Sequence, residues 1–184
     1  MDFHFAPMGI RAIITGRINE MKRNKNQYIN FGDETVLVLK SGISVLISTV
    51  SVALVKPYTW CREGTGYIMS RSTGKAVKLH RLIMDAKQGD FVDHIDGDPL
   101  NNTLANLRRC TKQQNEFNQK IRVDNKTGFR GVSYNPMCGK YRACVCINGK
   151  QIHLGLYESP RDAAKAYNAK AIVIFGEYAR LNVV

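Results

Sequence analysis

A dense cluster of polar side chains occupies residues 92–119, in the stretch VDHIDGDPLNNTLANLRRCTKQQNEFNQ. Asp93 and Asn115 offer a carboxylate and an amide oxygen, hard donors that suit Mg²⁺ or Mn²⁺. His94 stands next to that carboxylate, where it could deprotonate a water molecule for attack on phosphorus. The stretch lacks the cysteine and histidine set of a tetrahedral zinc site. These residue types therefore predict hydrolysis of a phosphodiester with the help of a divalent cation.

The elements that must position these side chains can be predicted from the same stretch. Asp93 and His94 follow the apolar residues 91–92, which indicates the end of a short strand. A turn at residues 97–99 and an Asn-rich loop then lead to a second short strand at 108–110. Thr111 and Gln114 have the spacing of a capping box, so a helix should begin there, with Asn115 on its first turn. The expected order is strand, loop, strand, helix.

This stretch resembles the HNH nucleases, and in particular the HNH homing endonucleases of phages. The resemblance covers residues 78–119 and includes LHRLIM at 79–84. It implies that His94 is the general base, that Asn106 holds the loop by hydrogen bonds, and that Asp93 and Asn115 bind the metal. Many members have histidine at the third motif position, so Asn115 makes this a His-Asn-Asn variant. His80 also matches the pattern, as a structural or phosphate-contacting residue.

A non-catalytic explanation of the cluster is a polar turn whose Asp and Asn side chains only satisfy backbone groups. The joint spacing of Asp93, His94, Asn106 and Asn115, with Gly97 and the capping box, favours catalysis over that explanation.

Residues 129–157 alternate with the period of two that is typical of strands. Asn148-Gly149 predicts a two-residue hairpin, and Ser159-Pro160 followed by Asp162 predicts the start of a helix that Gly176 ends. One strand face should carry Tyr141, Ala143, Val145, Ile147, Ile152, Leu154 and Leu156. The other should carry Lys140, Arg142, Cys144, Cys146, Gln151, His153 and Tyr157. The expected fold is a three-stranded antiparallel sheet packed on one helix.

Residues 128–182 resemble the AP2 DNA-binding domain. The matching marks are FRGV at 129–132, GKYRA at 139–143, Leu154-Gly155, AAKAY at 163–167 and Leu181-Asn182. The resemblance implies that the sheet contacts double-stranded DNA, where Arg and Gln can read base edges in the major groove. The candidate contact residues are Arg130, Tyr134, Lys140, Arg142, Gln151 and His153. Cys144, Cys146 and His153 depart from the plant pattern, so no target sequence can be transferred.

Two alternatives remain open for this segment. Its cations could be the solvated face of an ordinary sheet, which is the usual case for scattered Lys and Arg. Cys144 and Cys146, which share a predicted face, could have a metal or redox role, although two thiols do not complete a zinc site.

The chain as a whole is predicted to be an α+β protein of four parts. These are a β-rich N-terminal segment (1–77), a ββα-metal HNH module (78–120), a linker (121–126) and the AP2-like domain (127–184). Apolar runs at 35–39, 43–55 and 67–69 are expected to be strands, and the polar stretch 17–30 a loop. The net charge is +12, half of it after residue 120, and this favours a polyanionic partner.

The remaining features exclude several classes of protein. The run 43–55 is too short to cross a bilayer, no signal peptide is expected, and five cysteines without a CxxC pair favour a reducing cytoplasm. The expected function is therefore a cytoplasmic, phage-type DNA endonuclease that needs Mg²⁺ or Mn²⁺ and no other cofactor or membrane. A non-catalytic DNA-binding regulator with a degenerate HNH scaffold is the alternative, and a ribonuclease is a third possibility.

Overall fold

The computed structural model describes residues 26–119, 121 and 124–184. The chain divides after Arg109 into two compact units, called here the N-terminal unit and the C-terminal unit. The described residues form a mixed α+β protein with several small sheets and few helices. None of these helices combines the length and apolar character that crossing a membrane requires.

The largest sheet of the N-terminal unit has the strand order β1-β2-β3-β8. Its first three strands, β1 (Gln27–Phe31), β2 (Glu34–Val38) and β3 (Ser44–Ser48), are antiparallel neighbours. The short strand β8 (Asn101–Asn102) adds to β3 in parallel. The predicted loop at 17–30 was wrong from Gln27 onward, where β1 pairs with the strong apolar strand β2, and residues 17–25 lie outside the described residues.

The prediction that the apolar run 43–55 forms only strands was also wrong. Strand β3 ends at Ser48, opposite Glu34, because β2 offers no further partner beyond that residue. The chain then turns through a 3-10 helix (Thr49–Ser51) into the short helix α1 (Val52–Val55). Val55 is fully buried whereas Val50 is 79% exposed, so the apolar residues of this run do not share one buried surface.

A second sheet of the N-terminal unit comprises β4 (Cys61–Arg62), β5 (Ile68–Ser70) and β6 (Val77–Lys78), and β6 leads directly into helix α2 (Leu79–Ile83). One buried core joins these elements to the large sheet. Its members are Leu37, Leu39, Val45, Ile47, Val55, Trp60, Ile68 and Leu79. The segment before residue 78 and the stretch that follows it therefore share one core.

The predicted strand–loop–strand–helix is present. Strand β7 (Phe91–His94) pairs with β9 (Leu107–Cys110), and helix α3 (Lys112–Phe117) follows. The capping box is confirmed, since the Gln114 backbone N–H donates to Thr111 Oγ1 over 3.2 Å and the Thr111 N–H donates to Gln114 Oε1 over 2.8 Å. Strand β8, inside the loop, was not predicted.

The C-terminal unit contains the predicted antiparallel sheet of β10 (Val132–Asn135), β11 (Lys140–Ile147) and β12 (Lys150–Tyr157). This sheet packs on helix α4 (Pro160–Phe175), which a 3-10 turn (Gly176–Tyr178) follows. The predicted helix start is confirmed, because Ser159 Oγ accepts the Asp162 backbone N–H over 3.1 Å. The buried stripe of α4 is Ala163, Ala164, Tyr167, Ala171 and Phe175.

The predicted faces of β12 were correct only for its first half. The register with β11 shifts between Ala143 and Cys144, where Cys144 faces His153 but Ala143 faces Gly155. This bulge reverses the alternation beyond it, as an extra residue in one strand must. Leu156 consequently lies opposite Arg142 on the outer face and is 45% exposed, whereas Tyr157 packs into the core with α4.

Candidate functional site

Asp93 and His94 end strand β7 as two buried side chains, 7% and 5% exposed. The neighbouring strand β9 contributes Arg108, whose Nε and Nη2 donate to Asp93 Oδ2 over 3.1 and 2.8 Å. A buried carboxylate requires such a partner, because leaving it uncompensated costs several kcal/mol. The cross-strand pair therefore fixes the position of the Asp93 carboxyl group beside a histidine.

The His94 ring is held from the loop by Asn102. The distance between His94 Nε2 and Asn102 Oδ1 is 3.2 Å, and Asn102 itself is fully buried in β8. The Asn102 Nδ2 donates to Pro99 O over 2.9 Å, so the amide is fixed at both ends.

Two further rings surround His94. His80 from α2 meets it edge-on with ring centroids 5.1 Å apart, and Tyr67 lies 6.1 Å away. Lys78 places its Nζ 4.7 Å from the centroid of the Tyr67 ring. The rings of His80 and Tyr67 therefore border His94, and the ammonium group of Lys78 lies over the Tyr67 ring.

Burial sets the protonation of both histidines. It lowers the pKa of His80 to about 3, with further lowering by the charges of His94, Lys78 and Arg81. Burial also lowers the pKa of His94, although the hydrogen bond that the ring donates to Asn102 Oδ1 and the carboxylates of Asp96, Asp93 and Asp98 act against it. Both rings are therefore neutral at pH 7, the state in which a histidine can accept a proton.

Asn106 anchors the loop that lies between β7 and β9. Its Oδ1 accepts the backbone N–H of Asp96 over 3.1 Å. Its Nδ2 donates to Asp96 Oδ1 over 2.9 Å and to Asn101 O over 2.8 Å. The amide makes three of the four hydrogen bonds open to it, all within the protein. Asn106 therefore holds the loop backbone in place without a bound ligand.

Asn115, the second predicted metal ligand, lies on the first turn of α3 and belongs to the C-terminal unit. Its backbone N–H donates to Thr111 O over 3.0 Å. The structure thus brings Asp93, His94 and Asn106 together around one loop, whereas Asn115 belongs to the other unit.

Asp93 offers a buried carboxylate, a hard donor of the kind that divalent cations such as Mg²⁺ prefer. Within the described ranges no three His, Cys, Asp or Glu side chains converge as a metal-binding group. Mg²⁺ commonly keeps several waters and takes only one or two protein carboxylates together with substrate phosphates, so one buried carboxylate is compatible with such an ion.

The outer face of the sheet in the C-terminal unit carries most of the predicted contact residues. Arg142, Gln151 and His153 are exposed there, and Lys140 on the same face pairs with Glu158 over 2.7 Å. Tyr134 pairs with Tyr141 in the sheet and therefore lies on the opposite face, so it does not join this surface.

Arg130 is positioned by its backbone just before β10. Its N–H donates to Asn182 Oδ1 over 2.6 Å, and Asn182 Nδ2 donates back to Arg130 O over 3.1 Å. Gly131 follows with φ 70°, and a Cβ there would lie 2.2 Å from the Tyr167 ring, so only glycine fits. Arg130 also lines a cleft of about 830 Å³ together with Lys112 and Arg142.

Sequence reasoning missed four residues of this site: Arg108, Asn102, His80 as a neighbour of His94, and Tyr67. Arg108 could have been found, because opposite charges on two predicted neighbouring strands often pair. The contact of Asn102 depends on β8, a two-residue strand that adds to the distant β3, and no local signal indicates it.

The sequence around this site is similar to that of known proteins. Residues 77–117 match the HNH endonuclease family, a range that contains Asp93, His94, Asn106 and Asn115. An uncharacterised HNH endonuclease of Acanthamoeba polyphaga mimivirus is 37% identical over 156 residues, which cover 82% of this chain and 80% of the viral protein. The chain belongs to the HNH endonuclease family.

Two other relatives match shorter parts of the chain. Protein 3.8 of Escherichia phage T7 is 35% identical over 82 residues, 42% of this chain and 68% of the phage protein. An ethylene-responsive transcription factor-like protein of Arabidopsis thaliana is 30% identical over 83 residues, 44% of this chain and 36% of the plant protein. No solved structure matches the chain.

Proposed function

We propose that this HNH endonuclease family member hydrolyses phosphodiester bonds of double-stranded DNA with a divalent cation, and that it does so at specific sites, as homing endonucleases do. The observation that carries the proposal is the buried Asp93–His94 pair at the end of β7, beside a loop that Asn106 holds. A buried, neutral histidine next to a charged carboxylate is an arrangement suited to general-base chemistry.

In this proposal His94 accepts the proton of the attacking water. Its lowered pKa keeps the ring neutral at pH 7, so the base is ready without a prior loss of a proton. The ring cannot move freely, because Asn102, His80 and Tyr67 surround it. Fixed orientation of a base toward its water is itself a source of rate acceleration.

Asp93 and Asn115 would hold the cation, Mg²⁺ or Mn²⁺. When bound, such an ion polarises the scissile phosphate and stabilises the oxygen that leaves. Arg108 fixes one oxygen of the Asp93 carboxyl group, Oδ2, with two hydrogen bonds. Asn106 is a positioning residue, since all three of its hydrogen bonds go to the loop.

The C-terminal unit would bind the DNA through an AP2-like sheet. Arg142, Gln151 and His153 share one exposed face, where two- and three-stranded sheets can enter the major groove. Lys140 lies on the same face, and Arg130 shares a cleft with Arg142. The similarity to a plant protein named as transcription factor-like, over 83 residues, supports DNA binding by part of the chain.

The expected setting is the cytoplasm of a bacterial host, where a phage-type endonuclease meets its DNA. Purified protein should nick or cut plasmid DNA in Mg²⁺, and should cut DNA that flanks its own gene at defined positions. The non-catalytic regulator would bind that DNA without cutting it. A ribonuclease would cut structured RNA in preference to the plasmid, so the same assay separates all three.

A further inference from the structure

The side chain of Asn102 is fixed at both ends behind His94. Asn102 Nδ2 donates to Pro99 O over 2.9 Å, and Asn102 Oδ1 lies 3.2 Å from His94 Nε2. An amide nitrogen can only donate and an amide oxygen can only accept. The hydrogen bond to Pro99 therefore turns the accepting end of the amide toward the histidine ring.

This orientation decides which nitrogen of His94 carries the hydrogen. A neutral imidazole has one N–H and one lone pair, and the hydrogen bond made by one nitrogen selects the tautomer. Because Asn102 Oδ1 only accepts, Nε2 must be the protonated nitrogen. The lone pair then lies on Nδ1.

The backbone and the neighbouring rings make this choice rigid. Asn102 pairs with Ile47 of β3, whose side chain is fully buried in the core, so the amide cannot withdraw without disturbing the sheet. His80 and Tyr67 stand beside the His94 ring with centroid distances of 5.1 and 6.1 Å. These rings oppose the half-turn that would exchange the two edges of the imidazole.

We propose that Asn102 is a positioning residue that holds His94 in the Nε2–H tautomer, so that Nδ1 is the atom that takes a proton from water. The catalytic part rests on the proposed function. An O–H bond of the water breaks, its proton binds Nδ1, and the water oxygen attacks phosphorus with the electron pair that this frees. The departing sugar oxygen keeps the electrons of the broken P–O bond and takes a proton from solvent. Asn102 Oδ1 accepts from Nε2–H throughout.

The tautomer can be measured without DNA or cleavage. Long-range ¹H–¹⁵N correlation spectra of protein labelled at histidine, recorded at pH 8, distinguish protonated from unprotonated ring nitrogens, and His94→Gln identifies the signals. Wild type should show Nε2 protonated. A protonated Nδ1 in wild type would overturn the inference, whatever the protein does to DNA.

Three variants test the role of the amide. Asn102→Leu removes the acceptor and should give mixed tautomers, whereas Asn102→Asp keeps an accepting oxygen and should keep the Nε2–H form. The matched control is Thr103→Val, which removes the buried hydrogen bond from Thr103 Oγ1 to Asn101 Oδ1 next to this position but leaves the amide in place. If Asn102→Leu does not fold, the wild-type and Asn102→Asp spectra still decide.

Cleavage then tests whether the tautomer matters. Losing a partner that orients a site residue commonly costs about 10- to 100-fold in activity. Asn102→Leu should lower the single-turnover rate by that factor with unchanged DNA affinity, Asn102→Asp should recover most of it, and Thr103→Val should match wild type. A wild-type rate in Asn102→Leu would refute the positioning role. If wild type has the Nε2–H tautomer but neither wild type nor any variant cuts DNA, the proposed function fails and the tautomer assignment stands.

Discussion

The region from the end of β7 to β9 and the outer face of β11 and β12 are both rich in polar side chains. These side chains are buried in the first region and exposed in the second. At the end of β7 and in the loop that follows, Asp93, His94, Asn102 and Asn106 are at most 8% exposed, and each has a side-chain hydrogen bond. On the sheet, Arg142, Gln151 and His153 are exposed.

The two salt bridges of these regions illustrate the contrast. The side chains of Arg108 and Asp93 are 12% and 8% exposed, whereas those of Lys140 and Glu158 are 42% and 80% exposed. A buried pair fixes geometry, because neither partner can leave without a large cost, while an exposed pair exchanges readily with solvent or a ligand. Chemistry needs the first property, and binding to a varied polyanion needs the second.

Removal of divalent cations should have the largest effect. Cleavage is expected to fall to background in excess EDTA and to return with Mg²⁺ or Mn²⁺, because the proposed function has the hard donors Asp93 and Asn115 hold a divalent cation. DNA binding by the sheet should persist in EDTA, since its contacts are made by Arg, Lys and Gln. Full cleavage in EDTA would contradict the metal assignment.

Removal of the buried salt bridge should lower the free energy of unfolding far more than removal of the exposed one. Arg108→Ala leaves the buried Asp93 without this partner, and such a change typically costs about 3–5 kcal/mol of unfolding free energy. Lys140→Ala removes an exposed pair, which solvent screens, so the free energy of unfolding should barely change.

The single tryptophan makes the Arg108→Ala measurement specific to the N-terminal unit. Trp60 is 1% exposed in that unit's core, so its fluorescence during urea unfolding reports the unit alone. Urea unfolding of the Lys140→Ala variant is monitored by circular dichroism. Equal stability losses in the two variants would remove the distinction drawn here.

Arg142→Ala should weaken DNA binding and leave the bound complex able to cut. The expected loss is about 1–3 kcal/mol if the side chain reads a base bidentately, and less if it contacts only phosphate. The salt dependence of binding should then lose roughly one unit of slope. Arg161→Ala, which removes an exposed arginine at the start of α4, is the control of equal charge. Equal weakening by both would mean that the sheet face has no special role.

Stability toward acid should depend on His80. Its pKa is lowered to about 3 in the folded protein, against an ordinary value of 6.5, because burial penalises the charged ring. Between these values the unfolded chain binds a proton that the folded chain refuses, so stability is fully present above pH 6.5 and is lost as the pH falls below it. One such group contributes a slope of at most about 1.4 kcal/mol per pH unit.

His80→Phe keeps a ring against Tyr67 and His94 but cannot titrate. Unfolding followed by Trp60 fluorescence should therefore depend less on pH in this variant between pH 6.5 and 4. A comparison at pH 8, where neither folded nor unfolded chain protonates the ring, isolates any packing difference. An unchanged acid slope would mean that His80 is not held neutral.

Local patterns predicted the elements around the site and in the sheet. The capping box at Thr111, the Asn148-Gly149 hairpin and the helix start at Ser159 depend on neighbours within a few residues, and all three are present. The apolar run 43–55 did not form a single strand, because a strand extends only as far as its partner. Strand β3 stops at Ser48, opposite Glu34, the first residue of β2.

The rest required contacts between distant residues. The bulge opposite Ala143 reverses the faces of Leu156 and Tyr157, and no alternation pattern marks where it occurs. Asn102 reaches His94 only because β8 adds to β3, more than fifty residues earlier in the chain. The sequence thus indicates candidate catalytic residues, whereas the contact of Asn102 with His94 depends on a strand pairing that no local pattern marks.

The most direct test of this account compares single-turnover cleavage with equilibrium DNA binding for wild type, His94→Ala, Arg142→Ala and the double variant. His94→Ala should lose about a hundred- to ten-thousand-fold in rate and keep its affinity, because only the base is removed. Arg142→Ala should lose affinity and keep its rate, and the double variant should combine both defects nearly independently. Cleavage by His94→Ala at the wild-type rate would contradict the central claim that this buried histidine is the base of a DNA endonuclease.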